Sequence, residues 1–317
     1  MRTNLWTSVG FGAVIMGMVG CVPFGTESLD AASVPPTAPP QRLSAPQQSE
    51  LSAELERYYA RIETELVGQG LLRQAGGGPD TPFGPNDLAE NFVQVALFDE
   101  YSQTAGELVA NQTASRLRRW EGPIRMRVIH GPSVPARQRA IDVENIESYG
   151  ARLSDLTSVP ISLENANPNF FVLILNEDER RDFGPRLERL VPGIAPQAVR
   201  TITTMPRSIF CLVFAFSEAD GPASYTAAIA VIRAEHPELL RLSCIHEELA
   251  QAMGLANDSP GARPSIFNDD EEFALLTRHD ELLLRILYDP RLETGMTEPQ
   301  ARPIATTIAD EFFAVEG

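Results

Sequence analysis

The sequence predicts a domain of the α/β (α+β) class, with a mixed sheet and one long helix. Three observations predict it. Residues 170–175 and 211–216 are short, nearly continuous apolar runs, the pattern of central strands covered on both faces. Between 120 and 130, Ile124, Met126 and Val128 alternate with Arg125 and Arg127, the period of a half-exposed strand. From about 237 to 253 apolar residues recur at helical spacing, and Gly254 follows as a stop signal.

The elements follow in chain order. After Arg2 comes an apolar run from Leu5 to Val19, too short to span a bilayer comfortably. Met18, Val19, Gly20 and Cys21 resemble the lipobox of bacterial lipoproteins. That resemblance implies a signal peptide over 1–20, cleavage before Cys21 and lipid on that cysteine as the membrane anchor. Val22 in the next position implies sorting to the outer membrane, with the protein facing the periplasm. Residues 21–48, rich in Pro, Ala, Ser and Gln, read as a flexible tether. Residues 49–76 read as an amphipathic helix carrying Leu51, Leu55, Tyr58, Tyr59, Ile62 and Leu66, ended by Gly76-Gly77-Gly78-Pro79 at the latest.

The globular domain is expected over 80–317. It starts with a helix bearing Leu88, Phe92, Val95, Ala96 and Leu97, and the strand-like run that follows is the alternating strand within 120–130. A helix is expected over 136–156, and a charged helix over 177–190 separates the two apolar strands. Residues 227–232 add a strand before the long helix.

Composition narrows the chemistry. Hydrophobic residues make up 43% of the 317, enough for a sizeable core. The formal net charge is −17 and there is no lysine, which disfavours nucleic-acid binding. The missing amine also removes P-loop phosphate binding, pyridoxal Schiff bases and serine–lysine hydrolysis. Chemistry is left to acids, amides, hydroxyls and histidine. With Cys21 lipidated, Cys211 and Cys244 form an even pair in an oxidising compartment, and a disulfide is the simplest reading. Such a bridge is worth about 3 kcal/mol in loop entropy; two separate buried thiols are the alternative.

The most informative stretch is Cys-Ile-His-Glu-Glu-Leu-Ala-Gln-Ala-Met-Gly-Leu-Ala-Asn-Asp, residues 244–258. His246-Glu247 suggests a zinc-peptidase helix, but position 250 is alanine where a second imidazole is required. Shifted by one residue, Glu247, Glu248, Gln251, Gly254 and Asn257 resemble the metzincin pattern HExxHxxGxxH with all three ligand histidines replaced. The resemblance implies a zincin-like domain with Glu248 in the general-base position. It makes Glu247, Gln251 and Asn257 the candidate metal ligands, and Asp258 and His246 further cleft candidates. At about 100° per residue, Leu242, Ile245, Leu249, Ala252 and Met253 share one side of the helix, with Glu247 and Gln251 opposite. Downstream, Pro264-Ser265-Ile266-Phe267 sits where metzincins have their methionine turn, and 276–288 resembles the closing helix of matrixins. Thr277 and Asp280 also have capping-box spacing, which explains that helix start without any function.

The chain also resembles the proteobacterial lipoproteins of the domain of unknown function 2927 family, over roughly 80–296. Arg118-Arg119-Trp120-Glu121-Gly122-Pro123, Cys211, Cys244 to Glu248, Gln251, Gly254, Asn257-Asp258 and Leu287-Tyr288-Asp289-Pro290 carry that resemblance. It brings no established activity.

Two functions compete. One carboxylate and two neutral amides hold zinc poorly and suit a harder ion such as calcium better, so the cofactor stays unknown. The favoured expectation is a degenerate, non-catalytic zincin-like domain that binds peptide, cell-envelope glycan or an envelope protein. The alternative is an atypical metal-dependent hydrolase with Glu248 as general base. Other features have structural explanations. His246 reads as a packed or hydrogen-bonded histidine, Trp120 as a core aromatic at a strand start, and residues 269–272 as a solvated helix start.

Overall fold

Nine helices and a five-stranded mixed sheet make up most of the described chain, with a two-stranded hairpin beside them. The computed structural model describes residues 48–104, 107–217, 223–268 and 270–314, all within the unit Ser44–Gly317. The expected signal peptide, Cys21 and the expected tether up to residue 47 lie outside the described residues.

Helix α1 (Glu50–Gly68) is capped by Ser49, whose hydroxyl accepts from the Ser52 amide at 3.1 Å. It ends earlier than expected, because Gly70 at φ +82° takes the chain into the left-handed region. Leu55 and Tyr59 pack on Leu72, Leu240 and Ala274, and Ser52 donates to the buried Glu235 carboxylate at 2.6 Å. Helix α2 (Pro85–Ala96) buries Leu88, Phe92, Val95 and Ala96 as its periodicity predicts.

Between α2 and the alternating strand lies a hairpin, β1 (Phe98–Thr104) and β2 (Glu107–Ala114), paired antiparallel. The main sheet contains β3 (Ile124–His130), β4 (Ile161–Leu163), β5 (Phe170–Leu175), β6 (Cys211–Ser217) and β7 (Tyr225–Arg233) in the order β4-β3-β5-β7-β6. All pairs are parallel except β6 with β7, which is antiparallel. On β5, Phe170, Val172 and Ile174 enter one core and Phe171, Leu173 and Leu175 the other, so its continuous apolar run reflects burial on both faces. The other run is not central. β6 is an edge strand and half-buried throughout, its apolar residues serving to cover both cores from the side.

Helices α3 (Ala136–Thr157), α7 (Glu238–Gln251) and α8 (Arg278–Leu287) cover the first core together with α2 and α9 (Glu298–Ala314). The charged helix expected over 177–190 is two pieces, α4 (Glu177–Arg181) and α5 (Gly184–Leu190). Pro185 has no amide to continue the ladder, so the helix restarts there. With α6 (Pro196–Thr203), α5 covers the second core. Of the expected helix start at 269–272, residue 269 lies outside the described residues and 270–272 are not helical: α8 begins at Arg278, and Glu272 is instead held by Arg73 and Arg263.

A disulfide joins Cys211 at the start of β6 to Cys244 on α7. Asp280, in the Thr277 capping box of α8, accepts from Ser265 Oγ at 2.5 Å and from the Ile266 amide at 3.1 Å. This ties the 264–267 turn to α8, with Phe267 fully buried in the first core.

Candidate functional site

Positions 244, 247, 248 and 251 repeat at three- and four-residue intervals and therefore share one face of α7. Cys244 is used in the disulfide; the other three line a cleft of about 330 Å³. Residues 211–215 of β6 form one wall, and Asp99, Arg118 and Tyr225 border it from the hairpin root and the start of β7. Glu247 is half-buried and Glu248 is only 2% exposed. Gln251 Nε2 donates to Asp258 Oδ1 at 3.1 Å, which fixes both side chains. Glu247 Oε2 lies 4.0 Å from Cys211 Sγ. As a disulfide sulfur, that atom has no proton to donate, so the approach is a contact and not a hydrogen bond.

Four carboxylates, those of Asp99, Glu247, Glu248 and Asp258, face this space. Among the described residues lining it, the sole cation is Arg118, whose guanidinium is bound to Asp99 and to Ser115 Oγ. Burial pushes the Tyr225 phenol up to about 12, the Arg118 charge opposing the shift and the Asp99 charge adding to it, so Tyr225 is neutral. The described lining of the cleft therefore holds four acidic side chains and one guanidinium.

The segment 118–120 holds the cleft to the domain. Arg119 donates to the carbonyls of Leu287, Asp289 and Leu292, and its guanidinium lies 5.5 Å from the centre of the Tyr288 ring. Trp120, 2% exposed, donates from Nε1 to the Ala252 carbonyl at 2.9 Å. Tyr288 Oη accepts from the Trp120 amide and donates to the Met253 carbonyl at 2.9 Å. Gly254, at φ +122°, sits so close to the Arg118 carbonyl that a Cβ would lie 2.2 Å from its oxygen. The residues that carry the family resemblance, Arg118 to Trp120, Gly254 and Leu287-Tyr288, are thus one clamp at the carboxyl end of α7.

Two sequence candidates do not line the cleft. His246 turns inward: its Nδ1 accepts from the Leu276 amide at 3.1 Å, and its ring stacks on Tyr149 at 3.9 Å. Burial, with a smaller contribution from the Arg152 charge, holds its pKa down to about 3, so the imidazole is neutral. Asn257 is 1% exposed and donates from Nδ2 to the Gln94 carbonyl at 2.8 Å. Glu247, Gln251 and Asn257 therefore do not form a ligand set that fits zinc. Asp99, Arg118, Tyr225 and residues 212–215 of the β6 wall were missed as site residues. They come from separate parts of the chain, and only the Arg118-Arg119-Trp120 run gave any local signal.

These observations define a mixed α/β domain with an acidic cleft built on one helix and one edge strand. The chain belongs to the family described as Protein of unknown function (DUF2927), which its residues 85–307 match. No curated protein and no solved structure matches the chain. Among the described residues, no helix is long and apolar enough to cross a membrane.

Proposed function

We propose that this domain is a zincin-like scaffold without the imidazole ligands of a zinc peptidase, and that its cleft recognises a cationic peptide segment of an envelope protein. In this reading lipid on Cys21 holds the protein to the outer membrane, facing the periplasm. The observation that carries the proposal is the lining of the cleft: four acidic side chains and one guanidinium, which is paired with Asp99. An arginine or lysine side chain entering there gains charge-assisted hydrogen bonds in a partly desolvated space, whereas an acidic segment is repelled. A neutral glycan would use the hydrogen-bonding capacity but none of the charge, which makes it the weaker candidate.

Hydrolysis with Glu248 as general base is the second reading, supported by the burial of that carboxylate in the floor of the cleft. One set of measurements separates the two. Fluorescence anisotropy with labelled arginine-containing, glutamate-containing and neutral peptides of equal length is expected to show binding of the cationic peptide alone, weakened by salt. Glu247→Gln with Glu248→Gln is expected to reduce that affinity by about tenfold or more. Equal binding of all three peptides, or no effect of the double variant, defeats the recognition reading. Turnover of a quenched peptide library that disappears in Glu248→Gln establishes the hydrolytic one.

A further inference from the structure

The disulfide and the cleft meet at Cys211. Its Sγ, a carboxylate oxygen of Glu247 and a carboxylate oxygen of Glu248 all lie within 4.8 Å of one another. They border a cleft of about 330 Å³, with room for an ion and the waters that complete its shell. Sulfur and carboxylate oxygen are donors that zinc accepts at about 2.0 to 2.3 Å. This set differs from the one suggested by the sequence pattern: it replaces both amides with a second carboxylate and a sulfur supplied by the edge strand. In the oxidised protein the sulfur is bonded to Cys244 and carries no charge to offer a metal.

We infer that Cys211, Glu247 and Glu248 form a site for a zinc-class divalent ion that becomes available only when the Cys211–Cys244 disulfide is reduced. A dithiol reductant supplies the two electrons and two protons. Its own thiols join as a disulfide, the Cys211–Cys244 bond breaks, and both cysteines emerge as thiols. The incoming ion displaces the Cys211 thiol proton, which leaves to water, and the sulfur becomes the third ligand. In the oxidised protein Cys244 is 2% exposed, with its Sγ 3.7 Å from His236 Nδ1. A fourth coordination position faces the cleft and takes water. With two carboxylates and a thiolate around a doubly charged ion, metal binding makes the site one charge less negative and leaves Asp99 and Asp258 in the cleft. The site shares its carboxylates with the recognition reading but does not depend on it.

Cobalt(II) titration of the full chain tests the inference through the near-ultraviolet absorption of a thiolate–cobalt bond. The Cys244→Ser variant is expected to bind one ion with that band, and oxidised wild type is expected to show none. Wild type reduced with a dithiol and desalted without air is expected to gain the same band. Adding Glu247→Gln and Glu248→Gln to Cys244→Ser is expected to weaken binding by about tenfold or more. The inference is overturned if both Cys244→Ser and reduced wild type lack the band, or if the band is unchanged when both glutamates are replaced. It is equally overturned if the Cys211→Ser/Cys244→Ser variant, which keeps only Cys21, gives the same signal. Should Cys244→Ser fail to fold, the reduced wild type decides the matter alone. Peptide affinity is read separately, so loss of the metal signal leaves the recognition result standing.

Discussion

Replacing Gly254 by alanine tests how the end of α7 is locked to the rest of the domain. Gly254 has φ +122°, and an added Cβ would meet the Arg118 carbonyl oxygen at 2.2 Å and Leu287 Cδ2 at 3.0 Å. The Leu287 methyl can shift, but the Arg118 carbonyl cannot shift alone. Arg119 is bound to three carbonyls and Trp120 to the Ala252 carbonyl, so moving one backbone group strains the whole clamp. Holding a non-glycine residue at such a φ costs about 1 to 3 kcal/mol, and forcing extra volume into a packed region costs about 1 to 3 kcal/mol more. Gly254→Ala is therefore expected to lose about 4 kcal/mol in urea unfolding followed by Trp120 fluorescence. Gly122→Ala, three positions on from Arg119, is the control, because nothing lies within 4 Å of a Cβ there; it is expected to change stability by less than about 0.5 kcal/mol. A loss below about 1 kcal/mol at Gly254, or equal losses at both glycines, refutes the clamp.

Two further predictions concern pH. Burial alone would raise the Glu177 carboxyl, but hydrogen bonds and charge from Arg180, Arg181 and Arg233 outweigh it and hold the pKa at about 2, from 4.5. The folded carboxyl is the stronger acid, so its contribution of about 3 kcal/mol is complete above about pH 4.5 and is lost as pH falls through about 2. Unfolding free energies measured across that window are expected to lose this component in Glu177→Gln, and an unchanged acid dependence would sink the assignment. His246, held at about 3, is also depressed from its ordinary 6.5, so its contribution is full above about pH 6.5 and fades as the unfolded imidazole takes up a proton at lower pH. Its ring resonances in NMR are expected to show no titration between about pH 7 and pH 4, and an inflection above about pH 5 would mean that the imidazole is not enclosed.

Misassignment of β6 has a physical cause that bears on the cleft. A strand covered on both faces and an edge strand that caps two cores can have the same composition. Leu212, Phe214 and Phe216 lean on the second core, and Cys211, Val213 and Ala215 on the first. Apolar content reports contact on two faces, whereas edge position depends on which strands lie alongside. Because β6 is last in the sheet, its amino-terminal half is available as a wall of the cleft, and the disulfide secures it to α7 where no further strand does.

Local physics made much of this protein readable in advance. Helical spacing set the face of α7 that carries Glu247, Glu248 and Gln251, alternation marked β3, and the Thr277/Asp280 box marked the start of α8. Each depends on neighbours within about one or two turns, so the information sits in a few consecutive residues. The hairpin β1–β2, α6 and α9 were not foreseen: their residues are mixed in polarity and owe their conformation to the surfaces they meet. Helical spacing put His246 off the face of Glu247, but where that ring would go depended on Tyr149, 97 positions away, and on Leu276. Asn257 was diverted by the Gln94 carbonyl and Arg118 was brought in by its fit against Gly254. Periodicity can say which side chains leave the core together. Which of them then meet in one cavity is decided by contacts between distant segments, and those are set by packing.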